Sequence, residues 1–196
     1  MEKKKFKAVE LKYLDEKTIG QIREWRNADF VREMSFTRHI ITPEEHTSFI
    51  QRIQGDSNRG LYVIYFDDEP VAVFHYVLHR KTNHVTGSHY LTNENFKYEG
   101  YGEVVAYIIK SIIFQIIKAD YELSEILDTN KKLISTCKKG NLIAGVLKDH
   151  VCIDGEYHDV YQVKYTKEYF LNRPEWYKKL IYNVVQQENI ENCVLY

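Results

Sequence analysis

Lys97-Tyr98-Glu99-Gly100-Tyr101-Gly102-Glu103 is the stretch on which the fold turns. It separates an alternating segment, Val85 to Thr92, from an apolar segment of helical spacing that begins at Val104 and reaches about Lys118. Glycine permits positive φ and a close approach of backbone to a ligand. A helix that opens directly after it offers unpaired N–H groups and a partial positive charge, which together suit a pyrophosphate. The stretch is not a Walker motif, because no Gly-Lys-Ser/Thr follows. It is not a full dinucleotide fingerprint, because the third glycine is missing. A Gly-x-Gly alone is more often a plain structural turn, so its neighbours must decide.

Upstream, Leu61–Phe66 and Val71–His79 read as strands joined by the turn Asp67-Asp68-Glu69-Pro70. Before them, Phe6–Leu14 alternates as a first strand, and Glu16–Asn27 places Ile19, Ile22, Trp25 and Arg26 at helical spacing. Thr42-Pro43-Glu44-Glu45 is a helix start: Thr42 caps, Pro43 takes the first helical position and Glu45 completes a capping box. That helix should run to about Ile53, with a loop at Gly55-Asp56-Ser57-Asn58. Downstream come a strand, Leu123–Asp128, and a short helix, Lys131–Lys139, stopped by Gly140-Asn141. Strands Leu142–Cys152 and Tyr157–Thr166 follow, joined at the hairpin signal Asp154-Gly155. Pro174 opens a last helix, and the final residues are expected to fray. The order is β, two helices, three antiparallel strands, helix, strand, helix, two strands: a mixed α/β domain built on one sheet.

The 196 residues are enough for one globular domain with a real core. Twenty-seven basic and 28 acidic residues leave a net charge of −1, which argues against a nucleic-acid partner. Glu2-Lys3-Lys4-Lys5 is too short for a binding arm. Met1 leads into lysines rather than an apolar core, and Val104–Ile117 is interrupted by Lys110, Ser111 and Gln115; a cytoplasmic protein with no membrane partner is expected. Cys137, Cys152 and Cys193 form no CxxC pair, and His75, His79, His84 and His89 lack tight ligand spacing, so no metal is expected. Sixteen tyrosines offer stacking faces with polar tips, as a sugar or base pocket needs, although a composition bias accounts for them equally well.

With the turn placed after the fourth strand, the chain resembles the GNAT acetyltransferase superfamily, whose signature is Arg/Gln-x-x-Gly-x-Gly/Ala; Lys97 takes the first position here. The superfamily's asparagine after the fifth strand is matched by Asn130. Cys137 stands where a tyrosine is usual, and Asn141-Leu142 replaces Gly-Phe. The text around Trp25-Arg26-Asn27, Met34 and Ile41–Ile50, with Asp154–Val160, is similar to the PseH group. These enzymes acetylate the 4-amino group of a UDP-linked 4-amino-4,6-dideoxy sugar in pseudaminic acid biosynthesis. The same text resembles the ribosomal-protein N-acetyltransferases. The resemblance spans roughly Leu14 to Lys167. It implies a GNAT domain over residues 1–172, with a C-terminal helix and tail at 173–196, and a single mixed sheet splayed between strands 4 and 5 and flanked by helices.

The resemblance also implies acetyl-CoA as co-substrate. Its pantetheine would pair with the backbone of Tyr90, Leu91 and Thr92, and its phosphates would lie near Lys97, Glu99, Gly100, Tyr101, Gly102 and Glu103, with Asn130 also in contact. Arg26 and His46 would face the nucleotide diphosphate, with Met34, Phe49, Tyr76 and Tyr90 about the uracil and sugar. Direct attack in a ternary complex needs a deprotonated amine, a polarised carbonyl and a protonated leaving thiolate. A backbone N–H near Leu91 would polarise the carbonyl. Glu103 or His75 would be the base, directly or through water, and Cys137, a water, Tyr76, Tyr90 or Tyr101 the acid. Plainer readings stand beside these: Met34 and Phe49 as core, Arg26 as a helix-end cation, His75 as a satisfied sheet histidine. The alternatives are an acetyltransferase of protein or peptide N-termini and a catalytically weak acetyl-CoA-binding scaffold. A homodimer is compatible with all three.

Overall fold

In the computed structural model the described residues are 6–182 and 194–195. The N-terminal lysine run, Cys193 and most of the tail expected to fray lie outside them. The elements run β1 (Phe6–Glu10), α1 (Glu16–Asn27), α2 (Asp29–Arg32), α3 (Pro43–Gln54), β2 (Arg59–Phe66), β3 (Glu69–His79), β4 (His84–Leu91), α4 (Asn95–Tyr98), α5 (Tyr101–Ser111), β5 (Tyr121–Leu127), α6 (Lys131–Lys139), β6 (Ile143–Ile153), β7 (Glu156–Thr166), α7 (Lys167–Leu171), α8 (Glu175–Tyr182) and β8 (Val194–Leu195). One mixed sheet collects the strands in the order β6-β7-β5-β4-β3-β2-β1-β8. No helix of the described residues is long and apolar enough to cross a membrane.

Alternation along the strands sends side chains to two cores. On one face Phe6, Ile64, Phe74 and Val85 pack against Val104, Ile108 and Ile109 of α5 and Tyr177 and Ile181 of α8. On the other, Leu61, Val63 and Val73 pack against Ile22 of α1 and Ile50 and Ile53 of α3. The expected capping box is formed: Thr42 accepts from Glu45 N–H at 3.2 Å, and Glu45 accepts from Thr42 N–H at 2.8 Å. Asp154 and Gly155 both take positive φ, 53° and 87°, as a two-residue hairpin turn requires.

Two elements depart from expectation. The first strand ends at Glu10, because Leu11 drops into the core through a 3₁₀ turn, Leu11–Tyr13, that aims the chain at α1. The helix after Gly102 does not continue as α-helix to Lys118. It is α-helical to Ser111 and then widens into a π turn, Ile112–Ile116. That turn holds three successive side chains, Ile112, Ile113 and Phe114, in the core.

The strand pair that matters most is β4 with β5. They run parallel and pair only at His84↔Tyr121, Val85↔Glu122 and Thr86↔Leu123. Beyond Thr86 they diverge, while β4 stays paired with β3 to Leu91 and β5 with β7 to Leu127. The sheet is thus split from the middle of β4 to its end.

Candidate active site

The split exposes the backbone of β4. Thr92 N–H donates to Val71 O of β3 at 2.9 Å. An antiparallel ladder alternates its bonded pairs, so Tyr90 and Thr92 spend their backbone groups on β3, whereas His89 and Leu91 turn theirs into the gap. Of the three residues expected to pair with pantetheine, Leu91 has the free groups.

The gap ends beside the glycine turn. Gly100 has φ 84° and is the N-cap of α5, with no side-chain hydrogen bond capping the helix. Its left-handed backbone is one that residues with a Cβ rarely adopt. The first N–H groups of α5 therefore point out without intrahelical partners. A Cβ added at Gly102 would meet no atom within 4 Å, so that side of the turn is open. Tyr101 turns the other way, its ring against Phe6, Phe66 and Phe96. Lys97 and Glu99 are exposed.

Glu103, in the first turn of α5, faces α6. Burial pushes its carboxyl above the usual range, opposed by Lys132, Lys110 and the Thr136 hydroxyl. Lys132 is a cation near the turn that the motif reading misses; its signal is only its place in the first turn of α6. Asn130 caps α6, accepting from Leu133 N–H at 3.3 Å. Cys137 is buried among Ile126, Ile134 and Val163. Burial raises its thiol to about 11, so it is protonated at neutral pH. Behind it, Lys110 and Glu122 form a buried ion pair, with Lys110 over the Tyr165 ring at 5.2 Å.

A pocket of about 160 Å³ opens on the other face of the sheet. Arg26 from α1, His46 and Phe49 from α3, His75 from β3 and Tyr90 from β4 meet there. Arg26 donates Nη2–H to Thr37 O at 3.0 Å, while its Nη1 is buried without a partner. His46 Nε2 lies 2.8 Å from Ile19 O. Phe49 meets the His75 ring edge-on at 5.4 Å, and Tyr90 donates its hydroxyl to Ile22 O at 3.3 Å. Burial, then Arg26 and Arg59, push the His75 imidazole down to about 4, so it is neutral at pH 7. Two residues expected at the substrate are elsewhere. Met34 is exposed, and Tyr76 projects from the opposite face of β3, stacked on Phe74. Glu45 and Arg23 line the pocket unannounced; Glu45 reads from sequence only as a capping residue.

No family model matches the chain. Over 121 residues, 62% of this chain and 74% of the other, it is 26% identical to the acetyltransferase PseH of Campylobacter jejuni. The structure of that N-acetyltransferase in complex with acetyl coenzyme A superposes with a TM-score of 0.60, at 19% identity, over 83% of this chain and 99% of that one. A spermidine N-acetyltransferase of Vibrio cholerae, in complex with CoA and spermine, superposes with a TM-score of 0.74, at 13% identity, over 86% and 98%. The fold is that of the GNAT acetyltransferases. The chain resembles PseH in sequence as well. The split between β4 and β5, the uncapped start of α5 and α6 lie on or beside one face of the sheet, and the Arg26 pocket opens on the other.

Proposed function

We propose that this chain is an acetyl-CoA-dependent N-acetyltransferase whose acceptor is the amino group of a nucleotide-linked 4-amino sugar, with UDP as the nucleotide. The observation that carries the catalytic part is the divergence of β4 from β5 directly beside an uncapped helix start. The gap has free backbone donors for an extended chain, and the helix start has free donors for phosphate. Acetyl-CoA supplies an activated acyl group and a thiolate leaving group. The N–H groups at the start of α5, with Lys97 and Lys132, would hold its phosphates, and Leu91 N–H would face the thioester oxygen. The Cys137 thiol holds its proton at neutral pH and has it to give.

The charge of the pocket supports the acceptor. Arg23 and Arg26 line it, with the neutral donor ring of His46, whose value burial lowers, against one carboxylate, Glu45. That carboxylate is already engaged by Thr42 N–H and by His39 at 2.9 Å. A polyamine would meet cations there with no free anion to bind, whereas a diphosphate would satisfy the unpartnered Arg26 Nη1. Phe49 and Tyr90 offer apolar surface to a sugar or base.

The test is a thiol-release assay with acetyl-CoA and four amines: a UDP-linked 4-amino-4,6-dideoxy sugar, its dTDP counterpart, spermidine and a peptide with a free N-terminus. Fast release with the UDP sugar alone is expected. Release with the peptide alone would move the assignment to protein N-termini. Binding of acetyl-CoA by calorimetry with no amine accelerating release would leave a scaffold, and absence of binding would end the catalytic reading.

A further inference from the structure

We propose that His158, held by Asp128, is the base that takes the proton from the acceptor's ammonium group; this rests on the N-acetyltransferase reading above. Asp128 follows β5, and His158 is the third residue of β7. His158 Nδ1 lies 2.9 Å from Asp128 Oδ1. The second carboxylate oxygen accepts from Asp159 N–H at 3.2 Å, and Asp128 N–H donates to Asp159 O at 3.1 Å. The carboxylate is thus fixed at both oxygens. Its bond to the ring puts the proton of a neutral imidazole on Nδ1 and leaves a lone pair on Nε2. The side chain is 10% exposed, and Nε2 is buried with no partner. Thr129 Oγ1, on the residue after Asp128, is buried and unpartnered too. Buried polar atoms normally find partners, so the orphaned nitrogen of a ring already held by a carboxylate marks a place that a polar ligand completes.

Register locates this dyad. Both strands run the same way from their shared pairs, His84↔Tyr121 to Thr86↔Leu123, so Leu91, the last residue of β4, and Asp128, just after β5, stand at the same open end of the split. Leu91 is the residue whose N–H faces the thioester oxygen in the reading above. The pair His84↔Tyr121 puts even-numbered residues of β4 and odd-numbered residues of β5 on one face, Tyr90 and Leu127 among them, and Leu127 pairs with Val160. By alternation Tyr90, Leu127, Val160 and His158 share the pocket face of the sheet. The acceptor pocket and the dyad therefore flank the gap on one face. Glu103 belongs to the other face, with α5 and α6. His75 is on the acceptor face, but at about 4 it is too weak to hold an ammonium proton.

The charged groups around His158 favour the role. Burial raises the Asp128 carboxyl, but hydrogen bonds from His158 and Asp159 N–H outweigh it and hold the group below its usual value. Asp159 is neutralised by Lys148 at 2.6 Å, and Arg38 by Asp154 at 3.2 Å at the hairpin tip. Asp128 is left as the charge that stabilises an imidazolium. In the step, His158 Nε2 takes a proton from the ammonium. The freed nitrogen lone pair forms the C–N bond, and the C–S bond breaks with its electron pair on sulfur. The nitrogen's surplus proton passes to solvent, and the thiolate takes one from Cys137 or water.

The test uses the full chain, acetyl-CoA and the UDP-linked 4-amino-4,6-dideoxy sugar, with kcat and kcat/KM measured against pH. His158→Asn keeps a donor where Nδ1 sits and removes Nε2; His158→Gln keeps a polar atom near Nε2 that cannot take a proton. Both should lower kcat by about 100-fold and abolish the acidic limb of kcat/KM, with acetyl-CoA affinity unchanged. Asp128→Asn should move that limb to lower pH. Wild-type kcat and an intact acidic limb in both His158 variants would overturn the proposal while leaving the N-acetyltransferase reading standing. A wild type that acetylates no sugar would overturn that reading and this one with it. Should the variants fail to fold, nitrogen NMR of the wild-type ring decides: Nδ1–H with bare Nε2 is expected, and the opposite tautomer is fatal.

Discussion

In the proposed reaction, Arg26 is the residue on which substrate choice would turn. One guanidinium nitrogen is spent on Thr37 O and another is buried without a partner. A charge-assisted bond contributes about 1.5–3 kcal/mol, so Arg26→Ala should lower kcat/KM for the UDP sugar by about 10- to 100-fold. Acetyl-CoA affinity, read by calorimetry, should not change, because Arg26 lies on the opposite face from α5. Glu122→Gln makes a second case. It would leave Lys110 charged and unpaired in the core, a cost of about 3–5 kcal/mol, whereas the double change Lys110→Met with Glu122→Leu should restore much of the loss in a denaturant titration. Side-chain chemistry was readable one residue at a time: Arg26, His46, Phe49, His75 and Tyr90 do meet in one pocket. What the linear text could not supply was the face of each residue. Tyr76 and His75 are neighbours in the chain and are separated by the sheet. The Asp128–His158 pair spans thirty positions, so only the pairing of β5 with β7 reveals it.

At the scale of elements, local chemistry wrote itself clearly. Helix α1 spans Glu16–Asn27 and α6 spans Lys131–Lys139, as read from their spacing, and the capping box and hairpin turn are formed. The short helices α2, α4 and α7 escaped because four or five residues carry no period. The π turn escaped because Ile112–Phe114 is apolar in any helix, and only packing widens it. Gly100→Ala tests the turn. A left-handed residue with a Cβ costs about 1–2 kcal/mol, so melting should move down by several degrees. Acetyl-CoA binding should weaken, because relief of the strain rotates the first N–H groups of α5 away from the phosphates.

Taken whole, the molecule sets two half-buried histidines, His75 and His89, on opposite faces of one sheet, both neutral at pH 7. Burial chiefly, with nearby cations, holds His75 and His89 at about 4, against 6.5 for a free ring. Between those values the unfolded chain binds more protons than the folded one, so stability falls as pH drops from about 6.5 to about 4. Replacing both with Gln should make the fall in melting temperature across that window shallower. The largest consequence lies in the split strand pair. A strand with bare N–H groups is normally found at the rim of a sheet, where proteins guard it against stray pairing. Here such a rim runs through the interior, between β4 and β5. Until an extended partner fills it, the domain is a sheet in two leaves hinged at three residue pairs. The donor would then act as a seam as well as a reagent. At a hundredfold excess over Kd it would add about 2.7 kcal/mol to the fold. Proteases should cut the unliganded chain faster around β5 and α6, and stocks of acetyl-CoA would govern how long the protein lasts as well as how fast it works.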